Sequence, residues 1–105
     1  MNDELRVRFS ETGSRGRFEL LGEGGAVLGR MTFSRAADDL VIVDHTEVDG
    51  SLRGKGAGRM LFSEMVRWAR RTETRVRATC PFTLSMFERD PESRDVLDDD
   101  RRADQ

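Results

Sequence analysis

The sequence is short of the residues that staple or metallate small proteins: its 105 residues include one cysteine, one histidine, two prolines and no tyrosine. A lone Cys80 cannot close an intrachain disulfide, and with His45 as the single histidine the usual four-ligand structural zinc set cannot be assembled. The lack of tyrosine removes the phenol as a proton donor. Apolar runs are short, and none approaches the roughly 20 residues of a spanning helix. The acidic start Met1-Asn2-Asp3-Glu4 leads into no apolar segment of the secretory kind, so a soluble, cytoplasmic protein with no membrane partner is expected. The length allows one domain and excludes a second catalytic module.

What is abundant is charge, 36% of the residues, although the net charge is only -2 and favours neither nucleic acid nor a membrane surface. Its distribution is uneven. Between Arg53 and Arg77 eight basic residues (Arg53, Lys55, Arg59, Arg67, Arg70, Arg71, Arg75, Arg77) face two acids, Glu64 and Glu73, so an anionic ligand is expected there. The region lacks the aromatic-studded strand of an RNA-stacking platform. Asp38, Asp39, Asp44, Glu47 and Asp49 form an opposite, acidic stretch suited to a cationic partner.

Alternating residues predict strands over 6–9 and 17–21, separated by a turn at 13–16, and another over 26–34 after the glycine-rich turn 22–25. Leu40-Val41-Ile42-Val43 is an aliphatic, mostly β-branched run that predicts a central strand covered on both faces and continuing to Val48. Ala57, Leu61, Met65, Trp68 and Ala69 recur at helical spacing and predict a helix over 57–71, with Met60, Phe62, Met65 and Trp68 mainly in the core. A strand over 75–80 follows, then Pro81 at the first position of a short helix over 82–89. This order predicts an α/β (α+β) fold: a mostly antiparallel sheet whose last two strands, joined by a helical crossover, run parallel. Residues 1–97 read as one domain, and the acidic 98–105 as a disordered tail.

The chemistry is expected in Arg53-Gly54-Lys55-Gly56-Ala57-Gly58, where a central strand passes into a helix and backbone N–H groups and the helix dipole converge on an anion. Only three residues separate Gly50 from Gly54-Lys55, and Gly56 follows, so the Walker A spacing fails. With Gly54 and Gly56 as the first two glycines of a dinucleotide fingerprint, the third place holds Arg59, which disfavours NAD and FAD.

The spacing Arg53-x-x-Gly56-x-Gly58, with Val48 five residues earlier, resembles the loop of the GNAT superfamily of acetyl-CoA-dependent N-acetyltransferases. His45-Thr46-Glu47-Val48, then this loop, then Cys80-Pro81-Phe82 and Asp90-Pro91-Glu92, stand in the order of that superfamily's very small single-domain branch. The similarity covers about residues 18–97. It implies acetyl-CoA as co-substrate, with pyrophosphate on the backbone from Leu52 through Arg53, Gly54, Lys55, Gly56 and Ala57 to Gly58, beside Arg59, and with pantetheine on the strand edge at Glu47 and Val48. It also implies a catalytic Cys80, as acyl-carrying nucleophile or as the acid for the departing thiolate. His45 is the natural general base, with Glu47 two residues along the same strand. The branch lacks the superfamily's first helices, which implies an open acceptor site fitting a protein amine or polyamine, in a monomer or weak homodimer with no nucleic-acid partner. The alternative is a CoA-binding or interaction module without efficient turnover. Gly50 and Ala78 depart from the branch, which favours proline at both places.

Overall fold

The computed structural model describes residues 5–52 and 54–98. Five strands, β1 (Arg6–Thr12), β2 (Arg15–Leu21), β3 (Val27–Ala37), β4 (Leu40–Val48) and β5 (Arg75–Ala78), form one sheet in chain order. The first four pair antiparallel, and β5 runs parallel to β4 after the crossover helix α1 (Ala57–Thr72). A second helix, α2 (Pro81–Arg89), starts at Pro81 as the missing N–H of proline allows, and a 3-10 turn over Pro91–Val96 follows. No helix among the described residues is long and apolar enough to cross a membrane.

One face of the sheet carries the core. Phe18, Leu20, Met31, Phe33, Val41, Val43 and Val76 meet Leu61, Met65, Val66 and Trp68 of α1, all buried. Phe62 and Met65 are core as expected, while Met60 is half-buried against it. Phe33 and Phe18 stand 5.4 and 5.6 Å from the Trp68 ring, a contact geometry that adds to the area they bury. Among the described residues, no helix buries the other face as α1 buries this one. The expected cover on both sides of β4 is therefore corrected: Val41 and Val43 are fully buried, but Leu40 and Ile42 are only half-buried.

Two local features shape the sheet. Across β3, Phe33 pairs with Val43 but Thr32 with His45, so Asp44 is an extra residue, a bulge, held by Thr32 Oγ1 at 2.6 Å and Arg15 at 2.8 Å. Beyond it the alternation is inverted, placing Thr46 and Val48 on the core side and His45 and Glu47 on the open side. The ladder between β4 and β5 ends at Val43 and Ala78, where the N–H groups of Thr79 and Cys80 both turn onto the Val43 carbonyl. β5 is thus two residues shorter than expected, and β4 runs on from Asp44 to Val48 without β5, still paired with β3.

The chain closes on β5: Leu97 bridges to Val76, and Asp98 donates its N–H to the Val76 carbonyl while accepting from Arg77 Nε at 2.8 Å. Asp98, assigned above to the tail, is thus bonded to the sheet. The rest of that tail, 99–105, lies outside the described residues.

Candidate functional site

Where β4 parts from β5, the N-terminus of α1 and the side of α2 enclose a cavity of about 390 Å³. β4 contributes Thr46, Glu47 and Val48, and the loop and first turn of α1 contribute Leu52, Gly54 and the stretch from Gly56 to Arg59. Phe82, Met86 and Arg89 line it from α2. A larger hollow of about 760 Å³ lies on the other side of α2, bordered by Ile42, Arg77 and Leu84. It is bordered by no helix N-terminus and by none of the expected loop residues.

The loop is shaped for an anion. Gly54 and Gly56 take φ of +80° and +76°, left-handed values that a side chain disfavours. The first intrahelical bond of α1 is Met60 N–H to the Gly56 carbonyl, and the N-cap has no side-chain hydrogen bond. The N–H groups of residues 56–59 are therefore left at the positive end of the helix dipole. Gly58 has a different role: a Cβ there would lie 2.8 Å from the Phe82 ring, so its bareness lets α1 close onto α2 at the cavity wall. Among the described residues no carboxylate pairs with Lys55, Arg59 or Arg89. Arg53, expected in this set, lies outside the described residues.

The basic excess counted along 53–77 does not persist in space. Arg70 is held bidentate by Asp95 and Arg77 by Asp98, while Arg75 donates to the Leu97 carbonyl. Of the charge left open, Lys55 and Arg59 stand at the cavity end, where α2 adds an Arg89 that the linear count could not associate with the loop, while Arg71 stays exposed in the last turn of α1. The acidic stretch is likewise broken up, since Asp44 is bonded to Arg15 and Asp49 caps Ser51.

Cys80 is the N-cap of α2, 4% exposed, and lines neither the cavity nor the larger hollow. Its Sγ donates to Thr46 Oγ1 at 3.5 Å, and Thr46 Oγ1 lies 3.5 Å from Thr83 Oγ1. Burial pushes the thiol up, but the bonds that the thiolate accepts, from the Thr46 hydroxyl turned to donate, from Thr83 and from the Phe82 backbone, outweigh it and hold it below its ordinary value. Thr46, which the sequence reading did not single out, is the group that touches both the cavity and the sulfur. His45 and Glu47 are exposed on the open face with Nε2 and Oε1 3.5 Å apart. His45 does not line this cavity, whereas Glu47 does. No cluster of metal-ligating side chains exists among the described residues.

Comparison with known proteins adds to this geometry. The family model described as GCN5-related N-acetyl-transferase matches residues 17–96, well over half of the chain. No curated protein matches significantly. A solution NMR structure from Staphylococcus aureus, described as a GCN5-like N-acetyltransferase, superposes with TM-score 0.66 at 24% identity over 86% of each chain. A ribosomal-protein-alanine N-acetyltransferase from Brucella melitensis biovar Abortus 2308 gives 0.60 at 17% identity, covering 72% of this chain and 62% of that one. An aminoglycoside acetyltransferase from an uncultured soil metagenomic sample gives 0.58 at 13%, covering 74% and 57%. The chain thus spans less than two thirds of those two larger proteins, and the structural likenesses establish the fold.

Proposed function

The chain belongs to the GCN5-related N-acetyltransferase family, and from that premise we propose that it transfers an acetyl group from acetyl-CoA to a primary amine, on a protein or a polyamine. The observation that carries this reading is the cavity at the fork of β4 and β5, which joins a strand edge that β5 has left to a helix N-terminus without a side-chain cap, beside cations that have no carboxylate partner among the described residues. Those residues fit coenzyme A by their donor chemistry. The open amides of residues 56–59, with Lys55, Arg59 and Arg89 around them, would take the pyrophosphate oxygens, whereas the Leu52 and Lys55 amides already donate to the Asp49 and Leu52 carbonyls. The free edge of β4 at Glu47 and Val48 would hydrogen-bond the pantetheine amides. When bound, acetyl-CoA supplies an activated thioester.

The transfer forms a C–N bond and breaks a C–S bond; the amine must lose a proton and the departing thiolate must gain one. Glu47, lining the cavity and paired to His45, is placed to draw the ammonium proton toward the imidazole. Cys80 is buried behind Thr46, which suits a proton donor acting through that hydroxyl better than an acyl-carrying nucleophile.

Thermal unfolding with acetyl-CoA and CoA, against ATP and NAD, tests the site. A ligand at a hundredfold excess over its Kd adds about 2.7 kcal/mol, several degrees for a domain this small. A shift with the two CoA species alone supports the assignment, and no shift at millimolar ligand overturns it. CoA release that depends on an added amine then separates an enzyme from a CoA-binding module.

A further inference from the structure

The uncovered face of the sheet is layered by charge sign. On it, Arg8 and Arg17 both reach Glu19, at 2.7 and 3.1 Å, and the two arginine side chains are 56% and 52% exposed while the carboxylate beneath them is 7% exposed. Arg15 also pairs with Asp44, although that carboxylate stays 33% exposed. Arg6, at the start of β1, and Arg30, inside β3, stand exposed beside them. Among the described residues Glu19 therefore lies low, fixing two guanidinium groups, and the outermost charge over β1 and β2 is arginine, while at the fork Arg30 meets the more exposed Glu47. This layer borders the fork: Thr32 is paired with His45, and Arg30 with Glu47, which itself lines the cavity.

Resting on the acetyl-transfer reading, we propose that this open face is the acceptor-docking surface and that the acceptor is a polypeptide amine flanked by carboxylate side chains. The ammonium is drawn to Glu47 and His45 at the rim, while flanking carboxylates reach the guanidinium N–H groups on β1, β2 and β3. Like-charge contact disfavours acceptors whose flanks are basic. A polyamine, having no carboxylate, gains nothing from the arginine layer.

The test measures acetylation of three acceptors by the full chain: a peptide lysine flanked by glutamate and aspartate, the same peptide with glutamine flanks, and spermidine. The acidic peptide is expected to show about fivefold lower KM than the glutamine peptide at similar kcat, an advantage that fades between about 0.05 and about 0.3 M salt. The double variant Arg6→Gln/Arg17→Gln leaves Arg8 on Glu19, so no buried carboxylate is stranded. It should erase most of that KM advantage while the Kd for acetyl-CoA, the Tm and spermidine turnover stay unchanged. Equal KM for the two peptides, or an advantage that survives in the double variant, overturns the proposal. If no amine is acetylated although acetyl-CoA binds, the transfer reading fails by itself, and docking is read from anisotropy of the labelled peptides on wild type and double variant. Preferential binding of the acidic peptide, lost in the variant, then upholds the surface. Tighter binding of an RNA oligomer than of the acidic peptide overturns it.

Discussion

The two ends of α1 use the same residue types differently. At the C-terminal end Arg70 is clamped by two bonds to Asp95 and one to the Glu92 carbonyl, Arg35 sits 5.8 Å over the Trp68 ring while bonded to Glu11, and Thr72 closes on the Trp68 carbonyl. At the N-terminal end Arg59 and Lys55 have no carboxylate among the described residues, and the helix has no side-chain cap. Apart from the exposed Arg71, one end is satisfied internally and so holds the fold; the other is left open to a ligand. The contrast yields predictions that separate stability from binding.

The largest effect is expected from removing the anchor of the satisfied end. Trp68→Ala vacates the space between Phe9, Phe18 and Phe33 and should cost about 3–5 kcal/mol in urea unfolding. Because Trp68 lies in the last turns of α1 and the ligand groups in the first, the fraction that stays folded should bind acetyl-CoA with unchanged Kd. A proportionate loss of affinity would mean that the two ends are not separable.

Smaller, and opposite in kind, is the effect of Arg59→Gln/Arg89→Gln. Both side chains are exposed and unpaired among the described residues, so Tm should hold while the Kd for acetyl-CoA, read by calorimetry, rises roughly tenfold. Asp95→Asn is its mirror image: it releases Arg70, should lower Tm by about 1–3 °C, and should leave the Kd alone. If Arg59 and Arg89 moved Tm instead of Kd, the division between the ends would be wrong.

How far that division was legible in the sequence depends on how local each signal is. The aliphatic run of β4, the helical spacing of α1 and Pro81 are local, and they fix the parallel crossover and the glycine loop at its start. The turn over Pro91–Val96 has no period of its own; it is tied by Ser93 Oγ to the Asp90 carbonyl and by Asp95 to Arg70, contacts the sequence order does not reveal. The charge count failed for the same reason, since Asp95 and Asp98 neutralise arginines more than 20 residues earlier. Arg89 joins the loop only through the packing of α2 on α1. Thr46 was hidden by the bulge at Asp44: strict alternation from Val41 and Val43 would put His45 on the covered side, but the extra residue turns Thr46 there instead.

That inverted alternation also gives the subtlest test. Thr46 Oγ1 is the first of the groups that lower the Cys80 thiol against the upward push of burial. Thr46→Val keeps the shape and removes the hydroxyl, so the thiol must rise, though only in part, because Thr83 and the Phe82 backbone remain. The pH midpoint of Cys80 alkylation should move upward in Thr46→Val and return in Thr46→Ser. A thiol that donates its proton to the leaving thiolate is active while protonated, so the alkaline limb of the transfer rate should move upward with it, and the rate below that limb should fall because the relay between sulfur and cavity is cut. An alkaline limb that stays fixed while the alkylation midpoint moves would detach Cys80 from the reaction and leave its hydrogen bonds to Thr46 as part of the α2 cap.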